Sequence, residues 1–153
     1  MRDTLLLNYA RVWPAGLSPV APGTCGSLVA IVLAPFVFMP LPMWGRVLAL
    51  LFVLVTGTIA SSRAEQILGK KDPSEVVIDE VLGQWIAILP FAVLAWWEYV
   101  AAFVLFRFFD ILKPWPVRQL EGIGGGFGIM IDDAAAGVYA LLCMLLLHFW
   151  VGG

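Results

Sequence analysis

Four long stretches of this chain carry no charged side chain, and they limit what it can fold into more than any motif does. They run from Val12 to Gly45, from Val47 to Ser62, from Val81 to Trp97 and from Ala134 to the C-terminus. Each is able to cover most or all of a bilayer core, which takes roughly 20 residues of helix. The composition agrees: 61% of the 153 residues are hydrophobic and 13% charged, and the mean hydropathy of +0.94 lies outside the range of soluble domains. The chain is expected to be a polytopic, all-α membrane protein forming a single domain over residues 1–153, without a separate soluble domain. In the N-terminal segment MRDTLLLNYARVWP the apolar block is too short and the proline too early for a cleaved signal peptide, which places it at the membrane interface.

Helix punctuation divides the runs into about five membrane-embedded segments. After the Pro/Gly-rich WPAGLSPVAPGTCGS, a first helix is expected from Ser27 to about Met39, closed by MPLPM; it is short for a span and suits a re-entrant segment. A second is expected from Trp44 to about Gln66, followed by the polar loop GKKDPSEV. A third starts near Asp79, a fourth ends near Leu112 after a turn at WWEY, and a fifth begins near Asp132 and runs to Trp150. Arg2, Arg11, Arg63, Lys70, Lys71, Arg107, Lys113 and Arg118 fall on one side and Arg46 alone on the other. By the positive-inside rule the first side is cytoplasmic, with the N-terminus in and the C-terminus out.

That same side receives Asp79, Glu80, Asp110, Asp132 and Asp133. Ionisable groups at membrane-length segments are costly unless paired, bound to metal or facing water, so they mark function by default. VVIDEVLGQ sets Asp79 and Glu80 at the start of an apolar run, and GGGFGIMIDDAAAG sets Asp132 and Asp133 after a glycine-rich stretch. A carboxylate at a helix start also serves as a cap, which accounts for one acid better than for two. Asp79 with Gly83 and Asp133 with Gly137 share an i, i+4 spacing, which lets two helices approach closely one turn below each acid. In FRFFDILKPWPVR, Arg107, Asp110 and Lys113 recur every three residues along one helix face, either as a local ion pair with a snorkelling lysine or as part of a site. In SPVAPGTCGSL, Thr24 or Ser27 is placed to cap a helix whose amides point at an anion.

Several carboxylates brought together need a hard divalent cation such as Mg²⁺, and Arg63, Arg107, Lys113 and Arg118 are suitable phosphate donors. With one histidine, His148, a zinc site is not expected. Cys25 and Cys143 have neither metal nor disulfide spacing nor the arginine spacing of a cysteine phosphatase, and no DxD pair offers an aspartyl nucleophile. Attack by a metal-activated water is the simplest remaining chemistry. The net charge of −2 argues against a nucleic-acid surface.

The four motifs GLSPVAPGTCGSL, VVIDEVLGQ, FRFFDILKPWPVR and GGGFGIMIDDAAAG, in this order, resemble the phosphatidylglycerophosphatase A family over most of the chain. The resemblance implies an all-helical, Mg²⁺-dependent enzyme of the bacterial inner membrane. Such an enzyme removes the terminal phosphate of phosphatidylglycerophosphate to give phosphatidylglycerol and phosphate. The family pattern covers Thr24, Gly26, Ser27, Asp79, Glu80, Gly83, Gln84, Arg107, Asp110, Lys113, Pro114, Asp132 and Asp133; Cys25 departs from it, standing where an aromatic residue is expected.

The resulting expectation is a cytoplasmic-side site in which Asp79, Glu80, Asp132 and Asp133 hold Mg²⁺ and Thr24, Ser27, Arg63, Arg107 and Lys113 bind the phosphate. Asp110 orients Lys113, a metal ligand or water. Asp79, Asp110, Lys113 and Asp133 carry the catalysis. The competing classes are a divalent-cation transporter, for which membrane carboxylates are also expected, and a lipid-binding subunit without turnover.

Overall fold

The computed structural model describes residues 2–120 and 122–151. Among them every regular element is a helix. These are α1 (Arg2–Ala10), a single 3₁₀ turn (Ala15–Leu17), α2 (Pro22–Val37), α3 (Met43–Leu68), α4 (Ile78–Ala87), α5 (Trp96–Leu112), α6 (Val117–Leu120) and α7 (Gly125–Val151). α3 and α7 are long and apolar enough to cross a membrane. Their outer faces carry exposed Leu48, Leu51, Phe52, Val55 and Ile59 on α3, and Leu142, Leu145, Leu146 and Phe149 on α7. A helix in the core of a soluble domain would bury such residues; an outward apolar band suits lipid.

Two boundaries differ from the sequence reading, and both differences reshape the site. α2 starts at Pro22, five residues before Ser27, because proline at the first helical position has its φ already set and needs no N–H partner. Thr24 and Ser27 are therefore inside the helix and cap nothing; the cap position is Ala21, with φ of 47°. α7 starts at Gly125 rather than near Asp132. Asp132 and Asp133 thus sit two turns into a helix, and capping does not explain them.

The apolar run from Val81 to Trp97 does not form one span. α4 covers ten residues, about 15 Å at 1.5 Å per residue, and the chain then turns through Pro90 before α5 begins. Arg46 makes that turn possible. Buried to 6% exposure, its guanidinium donates to the carbonyls of Leu41 (3.0 Å), Leu89 (3.0 Å), Phe91 (2.5 Å) and Met39 (2.6 Å). These are loop and helix-end carbonyls that would otherwise be unpaired in an apolar setting. At the same end Glu98 accepts from the Ala95 amide at 2.7 Å and pairs with His148 Nδ1 at 2.5 Å, joining the start of α5 to the end of α7.

α4 is the centre of the bundle; every residue from Ile78 to Trp85 is buried. Trp85 donates to the Ala30 carbonyl at 3.0 Å and stacks on Phe38 with ring centroids 4.9 Å apart, fixing α4 on α2. On the opposite side α4 meets α7 at two glycines. A Cβ on Gly137 would lie 2.9 Å from the Gly83 Cα, and one on Gly83 would lie 2.6 Å from the Asp133 carbonyl oxygen. This backbone-on-backbone crossing is the close approach expected from the paired i, i+4 glycines, and it sets the Asp79 turn beside the Asp133 turn.

Candidate active site

At the N-terminal end of α4 lies a cavity of about 240 Å³. Asp72, Asp79, Glu80, Asp110, Asp132 and Asp133 line it, with a single basic side chain, Lys113, and with Ser74, Val76, Pro22 and Gly23. Four segments distant in sequence supply these groups: the start of α2, the loop running into the first turn of α4, the end of α5, and the part of α7 two turns in from its start.

Local structure fixes each acid. Asp79 and Glu80 stand in the first turn of α4, where the free amides and helix dipole favour negative charge. Asp79 Oδ1 accepts from the Glu80 amide and Asp132 Oδ1 from the Asp133 amide, both at 3.0 Å, so the DE and DD pairs share one construction. Lys113 ends α5 with φ of 47°. A non-glycine residue held in the left-handed region is strained by about 1–3 kcal/mol, and such strain gathers at functional sites. Pro114 follows and prevents the helix from continuing. The turn brings Lys113 Nζ to 2.9 Å from Asp132 Oδ2.

Arg107 lies behind this wall. Its Nη1 is 2.5 Å from both carboxylate oxygens of Glu80 and 2.9 Å from Asp110 Oδ2. Ser27, fully buried on α2, donates its hydroxyl to Glu80 Oε2 and also lies 3.1 Å from the Gly23 carbonyl. Gln84 of the family pattern has no role in these contacts. Gln84, one turn below Glu80, is fully buried and neither of its amide atoms has a protein partner.

The placements differ from the sequence expectation in four respects. Arg63 is outside the site: it is bonded to Asp3 at 3.0 and 3.1 Å and to Gln66 at 2.8 Å on an exposed face. Thr24 does not line the cavity, and Ser27 faces Glu80 rather than open space. Arg107 is turned toward carboxylates instead of the cavity. Asp110 partners Arg107, while Asp132 orients Lys113.

Asp72 and Ser74 join the cavity unforeseen, from a loop that reads as a polar connection. The signal was the Asp-Pro-Ser turn in GKKDPSEV together with Glu75. Arg11 pairs with Glu75, the Val77 amide donates to the Ala10 carbonyl at 2.9 Å, and the Asp72 amide donates to Glu65 Oε1 at 2.9 Å. These contacts bind the loop to α1 and α3.

No group of three or more Asp, Glu, His or Cys side chains forms a ready coordination sphere among the described residues. The donor set nonetheless suits Mg²⁺, which keeps most of its waters and takes one or two carboxylates. All donors here are hard oxygens, and Asp133 Oδ2 is buried without a protein partner. An orphaned carboxylate oxygen in an acidic cavity is where a cation compensates best.

Fold and cavity together define an all-helical protein with a lipid-suited exterior and a carboxylate-rich site at one end of its bundle. The chain belongs to the phosphatidylglycerophosphatase A family, which it matches over residues 9–148. It is 37% identical over 141 residues to the phosphatidylglycerophosphatase A of Haemophilus influenzae, covering 90% of this chain and 85% of that one. To the Escherichia coli phosphatidylglycerophosphatase A it is 37% identical over 142 residues, covering 89% and 80%. A Bacteroides thetaiotaomicron protein with the provisional description phosphatidylinositol-3-phosphatase is 38% identical over 144 residues, covering 90% of each chain. No solved structure matches the chain.

Proposed function

We propose that this protein is a Mg²⁺-dependent phosphatase that hydrolyses phosphatidylglycerophosphate to phosphatidylglycerol and inorganic phosphate. In this reading it is a multi-pass protein of the bacterial inner membrane with its site at the cytoplasmic face. The observation that carries the reading is the charge of the cavity: six carboxylates and one lysine. A phosphomonoester is repelled by such a wall unless a cation stands between them and offsets part of the charge on both. Bound Mg²⁺ would supply charge compensation and a more acidic water.

In this scheme Asp79, Asp132 and Asp133 hold the cation, directly or through its waters. Lys113, aimed by Asp132, holds a phosphate oxygen and offsets the charge that grows on it during in-line displacement. The first turn of α4 holds its carboxylates in register, and Asp72 and Ser74 complete the cavity wall. The lipid exterior keeps the substrate's tails in the bilayer while its headgroup reaches the polar end of the bundle.

A divalent-cation transporter needs its acids on a path through the bundle. Here the stacked Phe38 and Trp85 and the buried Phe106 and Ile88 fill the space around α4 beyond the acids, which disfavours that reading. The Bacteroides relative raises phosphatidylinositol 3-phosphate as a second substrate of the same chemical class.

The test is phosphate release by the purified protein in mixed micelles containing either lipid, with Mg²⁺ or with chelator. The expected result is release from phosphatidylglycerophosphate that stops on chelation and returns with Mg²⁺. Faster release from phosphatidylinositol 3-phosphate would reassign the substrate. Mg²⁺ flux into vesicles without release from either lipid would replace the enzyme by a transporter.

A further inference from the structure

We propose that Arg107 is a positioning residue acting through Glu80 and Asp110, and that Glu80 is its buried counter-ion rather than a cation ligand. This rests on the phosphatase reading and changes the division of labour within it. Lys113 becomes the base that meets the phosphate, and the cation falls to the aspartates.

Three independent observations support it. Arg107 is absent from the cavity wall, whereas Glu80 and Asp110 are part of it. One nitrogen of the guanidinium, Nη1, serves both Glu80 oxygens and Asp110 Oδ2, and Nε is buried without a partner. An arginine meant for phosphate presents its planar fork to the ligand in bidentate fashion; this one turns Nη1 to carboxylates.

Glu80 is engaged from two sides, by Arg107 on α5 and by Ser27 on α2. Direct binding to a cation would compete with the hydrogen bonds that both of its oxygens already accept. Breaking one half of a buried pair leaves an uncompensated charge. The sequence makes deliberate room for the engagement: a Cβ on Gly23 would collide with Glu80 Oε1 and lie 3.4 Å from Arg107 Nη1. Glycine at position 23 thus leaves Glu80 Oε1 room to reach Arg107, and no turn demands it, since Gly23 has no left-handed φ.

The role follows from the electrostatics. One of the six cavity charges is offset from behind by the guanidinium that Glu80 and Asp110 share, which lessens the repulsion a phosphate meets at the front of the cavity. Arg107 also ties α5, which carries Lys113, to α4, which carries Asp79. The distance between the phosphate-binding and cation-binding groups is then fixed by this pair.

The experiment combines Mg²⁺ titration calorimetry on substrate-free protein with steady-state kinetics. The variants are Glu80→Gln, Asp133→Asn, Lys113→Gln, Arg107→Gln and the double variant Glu80→Gln/Arg107→Gln. Glu80→Gln is expected to keep Mg²⁺ affinity within about threefold, whereas Asp133→Asn weakens it by about tenfold or more. Lys113→Gln should raise KM, and the double variant should lower kcat with KM little changed. Arg107→Gln alone leaves Glu80 and Asp110 without their shared cation, and its melting temperature should fall below that of the double variant, which removes both charges of the Glu80–Arg107 pair.

Loss of Mg²⁺ binding in Glu80→Gln equal to that in Asp133→Asn would overturn the proposal. So would a KM increase in the double variant matching that of Lys113→Gln, or a single Arg107→Gln variant as stable as the parent. Wild-type protein that binds Mg²⁺ but releases phosphate from neither lipid would refute the phosphatase reading alone. The calorimetric comparison would still decide the role of Glu80.

Discussion

Gly83 and Gly137 touch through their backbones, with the Gly137 Cβ position 2.9 Å from the Gly83 Cα, and this contact sets the spacing between the two acid pairs of the site. α4 is only ten residues long and has no room to adjust along its axis. A side chain at the crossing must push α4 and α7 apart or rotate one of them, moving Asp79 relative to Asp133.

Gly137→Val is therefore expected to destabilise the protein by about 1–3 kcal/mol through overpacking, and to reduce turnover by more than that stability loss explains. Measuring the folded fraction and the rate at a temperature where the variant is fully folded separates the two effects. Full activity in folded Gly137→Val would show that the crossing does not position the acids.

Lys113→Ala removes the only base on the cavity wall among the described residues. The expected loss is on the order of 10²-fold to 10³-fold in kcat/KM, as for other electrostatic donors in catalysis. Arg63→Ala, at an exposed pair with Asp3, should leave activity near the parent value. The two rates measured side by side check the exclusion of Arg63 from the site; equal losses would restore it.

Much of the site was legible because the chemistry is written in short contiguous motifs. IDEV, IDDA and the Arg107, Asp110 and Lys113 series each supply charges that an apolar context makes conspicuous, and the i, i+4 glycines announce the crossing beneath them. What the sequence did not show was which partner each charge takes. Arg107 and Lys113 stand on the same helix face, and only the left-handed turn at Lys113 separates a base that reaches the cavity from one that stays behind it. Helix starts were misplaced because a glycine-rich stretch such as GGGFG reads as loop, yet burial against α3 holds it in helical form from Gly125 onward. Arg46 looked like a topology marker; that it holds four carbonyls depends on three separated chain ends meeting, which no local pattern reveals.

Arg46→Ala tests that clamp. The variant leaves the carbonyls of Met39, Leu41, Leu89 and Phe91 without their donor, and each unpaired buried group costs about 1–3 kcal/mol. A loss of at least about 3 kcal/mol should lower the melting temperature by roughly 6–12 °C for a chain of this size. Arg46 is at the far end of the bundle from the acids, so activity per folded molecule should hold. A thermal melt unchanged by the substitution would show that the loop carbonyls find other donors.

The distribution of basic residues predicts that the loop around Lys70 faces the cytoplasm. A cysteine introduced at Lys70, in a variant lacking Cys25 and Cys143, should resist a membrane-impermeant thiol reagent in intact cells and react after permeabilisation. Labelling before permeabilisation would place the cavity, which shares this loop, on the outer face.

Asp133→Asn gives the most direct reading of the acidic cavity. Asp133 is 4% exposed, with Oδ2 unpartnered, and it shares the cavity with five other carboxylates. Without a cation these charges repel, so replacing one by a neutral amide of the same shape removes repulsion and should raise the melting temperature of the metal-free protein. With a cation the sign reverses, because the same carboxylate then contributes to binding. Mg²⁺ should raise the melting temperature of the parent with increasing concentration, as a ligand of the folded state must, and should raise that of Asp133→Asn much less. Turnover should fall by about 10³-fold or more and recover in part at high Mg²⁺ if Asp133 is a ligand. A variant that stays inactive at saturating Mg²⁺ would instead assign Asp133 to proton transfer, since occupancy of the cation site does not replace a lost base. An Asp133→Asn variant with parental turnover and a parental Mg²⁺ response in the melt would remove the cation from the site, leaving the acid cluster without its proposed function.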